Sequence, residues 1–192
     1  MRWRRFGNSL LKIYDAMAFI SVKKSTLKNG NPGRPNPKSP YIILIRTDDL
    51  VSKPVKGADG VSVVGPLILK AGTNAIQIYA IPNSIKVGDK TSGDADKKGF
   101  IHTVEFEHPG SSLNYSQFVN DNVNTNLIAI VVYPDLEFNK LVGWPGNPLQ
   151  LNHEQKDDEK EDSNSVKLES LFAGDKIIHY TGALPSVEGS GA

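Results

Sequence analysis

The chain of 192 residues contains no cysteine. That absence excludes disulfides, thiolate zinc sites, iron–sulfur clusters and a cysteine nucleophile, and with them the small secreted disulfide scaffolds. No stretch reaches the roughly 18 consecutive apolar residues that a membrane-spanning helix requires. Arg2, Arg4 and Arg5 stand where a signal peptide would carry its charges, and Arg4-Arg5-Phe6 is similar to part of a twin-arginine signal. The residues that follow are broken by Gly7, Asn8, Ser9, Lys12 and Asp15, so neither kind of leader has its apolar core. The expectation is a protein made in the cytoplasm, with no membrane partner. Charge of one sign is also missing: 22 Lys and Arg face 21 Asp and Glu, a formal net of +1. The whole-molecule field therefore points to no particular partner. Hydrophobic residues at 39% and charged residues at 22% match ordinary globular usage and exclude a fibrous or wholly disordered chain.

What is present is a polarity along the chain. Residues 1–40 hold nine Lys or Arg against Asp15 alone, and residues 41–192 hold thirteen basic and twenty acidic groups. A basic head on an acidic body favours head-to-tail contacts between copies over like-to-like ones. The other reading is a solvated basic tail that touches nucleic acid loosely. From Lys23 to Pro40 the sequence KKSTLKNGNPGRPNPKSP has four prolines, three asparagines and two glycines. No helix or central strand accommodates that, so it reads as an extended arm whose basic groups are Lys23, Lys24, Lys28, Arg34 and Lys38. Met17 opens a second start, MAFISVKKS, and residues 1–16 read as an upstream extension outside the fold. Residues 185–192, small and Gly/Ser-rich, read as a flexible tail. Between arm and tail, residues 41–184 form a single β-rich domain.

Within that domain Tyr41 to Arg46 (YIILIR) is an apolar run bounded by Pro40 and polar residues, the pattern of a buried strand. Val61 to Leu69 and Ala75 to Ile81 read as further strands. Ser84 to Lys98 reads as a polar, glycine-containing loop. Phe100 to His108 then alternates with period two, placing Phe100, His102, Val104, Phe106 and His108 on one face and Glu105 and Glu107 on the other. Ser111-Ser112 can cap a short helix over about 111–123, in which Tyr115, Phe118, Val119 and Val123 make an apolar stripe. Leu127 to Tyr133 (LIAIVVY) is a continuous apolar run typical of a strand buried on both faces. Leu141 to Trp144, Pro148 to Leu151, Val166 to Phe172 and Ile177 to Thr181 add short strands. The sum is a mainly β protein: an antiparallel β-sandwich or barrel of about eight short strands with one short flanking helix.

Motifs for chemistry are scarce. His102, His108, His153 and His179 have no metal-ligand spacing, and His102 and His108 lie about 20 Å apart along a strand. Glu105 and Glu107 are about 6.6 Å apart by the same rise, within the range of a glycosidase acid–base pair, but any E-x-E strand offers this. Gly88-Asp89-Lys90-Thr91 resembles the end of a P-loop without the glycine that must directly precede its lysine. Asn114-Tyr115-Ser116 is a formal glycosylation sequon. No catalytic residue, cofactor or metal is expected. Glu154, Asp157, Asp158, Glu159, Glu161 and Asp162, in the stretch HEQKDDEKEDSN, read either as a solvated hairpin tip or as an acidic patch facing a partner. Trp144, in LVGWPGNP, reads either as a turn-anchored core residue or as an exposed binding aromatic.

Taken in order, GFIHTVEFEHPGSSLNYSQFVNDNVNTNLIAIVVYPD, LVGWPGNPLQL, the acidic stretch, SVKLESLF and IIHYTGALP resemble small virion structural proteins of tailed bacteriophages, tail-tube-like proteins above all. The resemblance spans about residues 41–185 and lies in element order and motif texture. It implies a non-enzymatic virion subunit that self-assembles into rings or tubes, a hexameric ring among them. Its partners would be copies of itself, other virion proteins and DNA passing without specific contact. Lys23 to Pro40 would bridge subunits, and Glu154 to Asp162 or the Glu105/Glu107 face would supply an acidic lumen. A capsid decoration subunit, a head-to-tail connector and a carbohydrate- or receptor-binding β-sandwich on the virion stand beside it.

Overall fold

The computed structural model describes residues 35–157 and 162–187. Its elements, in chain order, are β1 (Tyr41–Arg46), a 3-10 turn (Thr47–Asp49), β2 (Ser62–Val63), β3 (Ile76–Tyr79), β4 (Lys86–Ser92) and β5 (Gly99–Pro109). After these come α1 (Leu113–Asn122), β6 (Leu127–Val131), β7 (Asn139–Val142), β8 (Leu149–Asp157), β9 (Asp162–Ser170) and β10 (Ile178–Tyr180). The described residues are mainly β with a single α-helix, as the periodicity predicts.

All strands belong to one bent sheet of order β2-β10-β7-β6-β8-β9-β5-β4, with β1 joining β6 to β3. Pairing is antiparallel throughout except between β10 and β2. The two strands with unbroken apolar runs, β1 and β6, lie side by side from Ile42↔Val131 to Arg46↔Leu127. Every residue of β6 is buried, because its two faces serve two different cores. On the far side of β6 stand first β8, at Leu127↔Leu149, and then β7, at Ala129↔Val142 through Val131↔Lys140. The chain changes course between β7 and β8 at Gly143, whose φ is +84° and whose absent Cβ would lie 2.9 Å from Leu149 Cγ. A larger residue fits neither that backbone conformation nor that space.

The larger core is enclosed by β1, β3, β5, β6, β8 and β9, with Ile42, Leu44, Val104, Phe106, Leu127, Leu149 and Leu168 among its members. The sheet curls round it until the Ile81 N–H donates to the Glu107 carbonyl at 2.8 Å. The helix flanks this core: Ser112 accepts the Tyr115 N–H at 3.1 Å as its N-cap, and Tyr115 is buried. Phe118 and Val119 pack inward, while Val123, at the helix end, is 44% exposed. The smaller core lies on the opposite faces of β1 and β6, where Ile43, Ile45, Ile128 and Ile130 meet Val63, Leu67, Ile178 and Tyr180.

The structure differs from the sequence expectations in four places. The loop over Ser84 to Lys98 contains β4, a seven-residue strand. It is an edge strand paired only to β5, so it carries polar and charged side chains that hide its period. The strand over Val61 to Leu69 shrinks to Ser62–Val63, because Gly65-Pro66 interrupts it and only one further bridge, Leu50↔Leu69, forms. The stretch from His153 to Asn164 is strand up to Asp157 and again from Asp162, in register Asp157↔Asp162. At the C-terminal end, where a flexible tail is expected from 185, Val187 bridges Ala75 and Ser186 Oγ donates to Asn74 Oδ1 at 3.1 Å.

Candidate functional site

The outward face of β4, β5, β9 and β8 gathers several of the acidic candidates. Pairing sets Lys86, Glu105, Lys167 and Asn152 in one row across the four strands, and Glu107, Ser165 and Glu154 in the next. The depression between these rows has a volume of about 360 Å³. Glu105, Glu107 and Glu154 are therefore neighbours, but the two lysines interleave them. Lys167 Nζ also lies 2.8 Å from Glu169 Oε2, a bond that raises the lysine above its ordinary value and keeps it charged. The face is of mixed charge rather than uniformly acidic. No Trp or Tyr lines the depression, and Phe106, which does, is 2% exposed, so it offers little ring surface on which a sugar could stack.

The three described carboxylates of the acidic stretch fall on two faces. A strand alternates its side chains between two faces, so Glu154 joins the outward face while Asp157 and Asp162 fall on the side of α1. Asp162 there accepts a hydrogen bond from Ser111 Oγ at 3.0 Å. Asp158, Glu159 and Glu161 lie outside the described residues, as do Lys23, Lys24, Lys28 and Arg34 of the arm.

Lys38 is described, and its setting is informative. Its Nζ lies 5.9 Å from the centroid of the Tyr133 ring, and Lys140 Nζ lies 5.4 Å from the same ring. Both lysines are half-buried. Burial and then repulsion from Lys38 hold Lys140 below the usual lysine value. Among the described residues neither ammonium has a carboxylate against it, because the ion pairs are Lys56–Asp175, Lys167–Glu169 and Lys176–Asp89. His179 stands opposite Lys140 in the β10–β7 pairing and stacks on Phe138 at 4.0 Å and 2°. Burial and then Lys140 shift its pKa down as well. Sequence reading singles out Lys38 and His179 separately and misses Lys140 and Tyr133, since strand pairing alone brings them together.

The histidines are held by structural bonds. His102 Nε2 lies 2.6 Å from the Asp175 carbonyl, which only an N–H can satisfy, and the ring is 5% exposed with Nδ1 unpartnered. Burial keeps this imidazole neutral. His108 Nδ1 lies 2.9 Å from the Tyr79 carbonyl, and His153 Nε2 lies 3.0 Å from Asn164 Oδ1. Among the described residues no group of three or more His, Asp or Glu is placed to hold a metal. Trp144 is half-buried against the smaller core, with Lys56 Nζ 4.7 Å over its ring. Two hydrogen bonds of 3.0 and 2.8 Å close the Trp144–Asn147 turn, and Asn147 clamps the Phe172 backbone at 2.6 and 2.9 Å. No helix among the described residues is long and apolar enough to cross a membrane. No protein-family model, curated protein or solved structure matches this chain.

Proposed function

We propose that the chain is a non-enzymatic structural subunit that polymerises head to tail, of the tail-tube type its sequence resembles among virion proteins of tailed bacteriophages. The observation that supports this reading is the pair of half-buried ammonium groups, Lys38 and Lys140, set on one tyrosine ring; among the described residues neither forms an ion pair, and Asp89 is the one carboxylate whose charge is felt at Lys140. Like charges held together are unfavourable in the isolated subunit, and an anionic partner relieves them. The same molecule offers carboxylates elsewhere. β7 and β8 run in one direction along β6, so Lys140 and Asp157 sit at opposite ends of a run of roughly 40 Å of strand. A basic patch at one end and carboxylates at the other make a heterologous contact that repeats from copy to copy.

Exposed apolar side chains support the same reading. Val51, Val55, Val61, Val64 and Ile68 are 41–82% exposed, and they fall within one connection between the strands. The Val51 N–H donates to the Ile68 carbonyl at 2.9 Å, which sets two of them side by side. A cluster of this kind on a small domain marks a surface that another molecule covers.

Light scattering and negative-stain images across a salt series test the proposal. Rings or tubes that fall apart as salt rises are the expected result, since the screening length shrinks from about 30 Å at 0.01 M to about 3 Å at 1 M. Lys38→Gln together with Lys140→Gln should give monomers that melt no lower than the parent subunit, since the repulsion between the two ammonium groups is gone. Closed rings that never stack would favour a connector or decoration subunit instead. A strict monomer at every salt and protein concentration sinks the assembly reading.

A further inference from the structure

A second feature, independent of assembly, lies where the end of β1 meets α1. The inward row of β1 runs Ile42, Leu44, Arg46, because alternate strand residues share a face. The first two are core residues at 0% exposure, and Arg46, opposite the fully buried Leu127, puts a guanidinium in the next place of that row. A charged group in a row otherwise given to the core breaks the local pattern, and such breaks cluster at functional sites. Arg46 is the only arginine among the described residues, and it is held in place. Its Nε donates to Asn122 Oδ1 at 3.0 Å, and Asn122, 1% exposed, is fixed in turn by Nδ2 donating to the Phe118 carbonyl at 2.7 Å. Among the described residues no carboxylate pairs with the guanidinium, and the Nε bond is its one side-chain hydrogen bond. The terminal N–H groups form a planar fork matched to the two oxygens of a carboxylate, and they have no acceptor among those residues.

Arg46 lines a cavity of about 480 Å³, within the range of roughly 300–1,000 Å³ for small-molecule sites. From α1 come Asn114, Gln117 and Asp121, which helical spacing puts on one stripe, and the apolar part of the lining is Ile76 and Phe118. The cavity thus has one cation and one anion on its walls, and the two form no ion pair with each other. Those charges select the ligand. A bare carboxylate or a phosphate gains Arg46 but is repelled by Asp121, and a bare amine gains Asp121 but is repelled by Arg46. An uncharged molecule leaves the fork unused. A zwitterion whose carboxylate and ammonium stand on one carbon answers both charges, and the amides of Asn114 and Gln117, each able to donate and accept, serve a polar side chain. We infer that this cavity binds a free α-amino acid, with Arg46 on the carboxylate and Asp121 on the ammonium.

The test is a titration of the full chain with glycine, alanine, serine and glutamine separately, followed by NMR of the backbone amides and of the Arg46 Nε–H. At least one of the four should shift the Arg46 Nε–H together with the amides of Gln117 and Asp121. Propionate and inorganic phosphate, run beside them, should bind about fivefold or more weakly. Arg46→Lys keeps the charge and loses the fork, and should weaken binding about tenfold or more, the fold-change of one hydrogen bond between charged groups. Asp121→Asn, at an exposed position in the last turn of the helix, should weaken amino acid binding about twofold to fivefold and strengthen that of propionate. It should melt no lower than the parent chain, because a carboxylate there opposes the helix dipole, and so it stands in if Arg46→Lys disturbs packing. The inference is overturned if none of the four amino acids moves these signals in large excess, or if propionate or phosphate binds as tightly as the best of them. Binding by both variants as tight as that of the parent chain would overturn it equally.

Discussion

β1 and β6 have a hydrophobic core on each side, and the two cores are closed in different ways. The larger is walled mostly by regular strands, flanked by α1, and sealed where the Ile81 N–H meets the Glu107 carbonyl. The smaller is roofed by the irregular connection from residue 50 to 75, which contributes Leu50, Val63, Leu67 and Ala75 inward and leaves Val55, Val64 and Ile68 outward. A strand-walled core holds its shape when an atom is removed, whereas a loop roof can settle into the gap. The connection over the second core also carries five exposed apolar side chains, Val51, Val55, Val61, Val64 and Ile68.

Adjacent residues of β1 give the sharpest test of that difference. Leu44 is 0% exposed in the larger core and Ile45 is 1% exposed in the smaller. Leu44→Ala should cost about 4 kcal/mol in chemical denaturation and Ile45→Ala about 2–3 kcal/mol, within the range for large-to-small core changes. Equal costs would mean that the loop roof is as unyielding as the strands. Next in size is Tyr180, whose hydroxyl receives the Leu67 N–H at 3.3 Å and donates to the Ala183 carbonyl at 2.5 Å. Tyr180→Phe should cost about 1 kcal/mol and speed hydrogen exchange at Leu67 while leaving Val104 protected. Uniform loss of protection would merge the two cores into one cooperative unit.

A smaller effect concerns pH. The His102 pKa is lowered by burial below its ordinary 6.5. The folded state therefore favours the neutral ring, and its stability contribution is complete above about 6.5 and lost as pH falls through the depressed folded value. Melting temperature should drop on acidification through that window, and His102→Gln should flatten the slope. His179 is shifted in the same direction but is exposed, so His179→Gln should flatten it less. The reverse ranking would place the titrating group outside the larger core. Smallest of all, Val55→Ser at an 82% exposed position should change stability by less than about 0.5 kcal/mol. Its effect should appear only in self-association.

Legibility followed the local signal. The runs YIILIR and LIAIV were readable as strands because two-sided burial removes polar residues from them. The alternation from Phe100 to His108 was readable because one face is buried and the other wet: Val104 and Phe106 are 0% and 2% exposed, while Glu105 and Glu107 face outward. The helix was bounded by its Ser112 cap and the proline and glycine before it. β4 escaped notice because an edge strand buries little. Of the acidic candidates, alternation sent Glu154 and Asp157 to different faces, an outcome set by the β8 register and not by composition.

The sequence by itself determined the mainly β class, the place of the helix and the two central strands, because periodicity and turn residues act over a few neighbours. Only the tertiary structure decided which charges meet. Strand pairing and packing carried Lys140 and Lys38 to one tyrosine, set lysines beside Glu105, and left the Tyr115 hydroxyl buried without a partner. Such meetings depend on register between strands remote in sequence, and a register shift of one residue would turn every side chain to the other face.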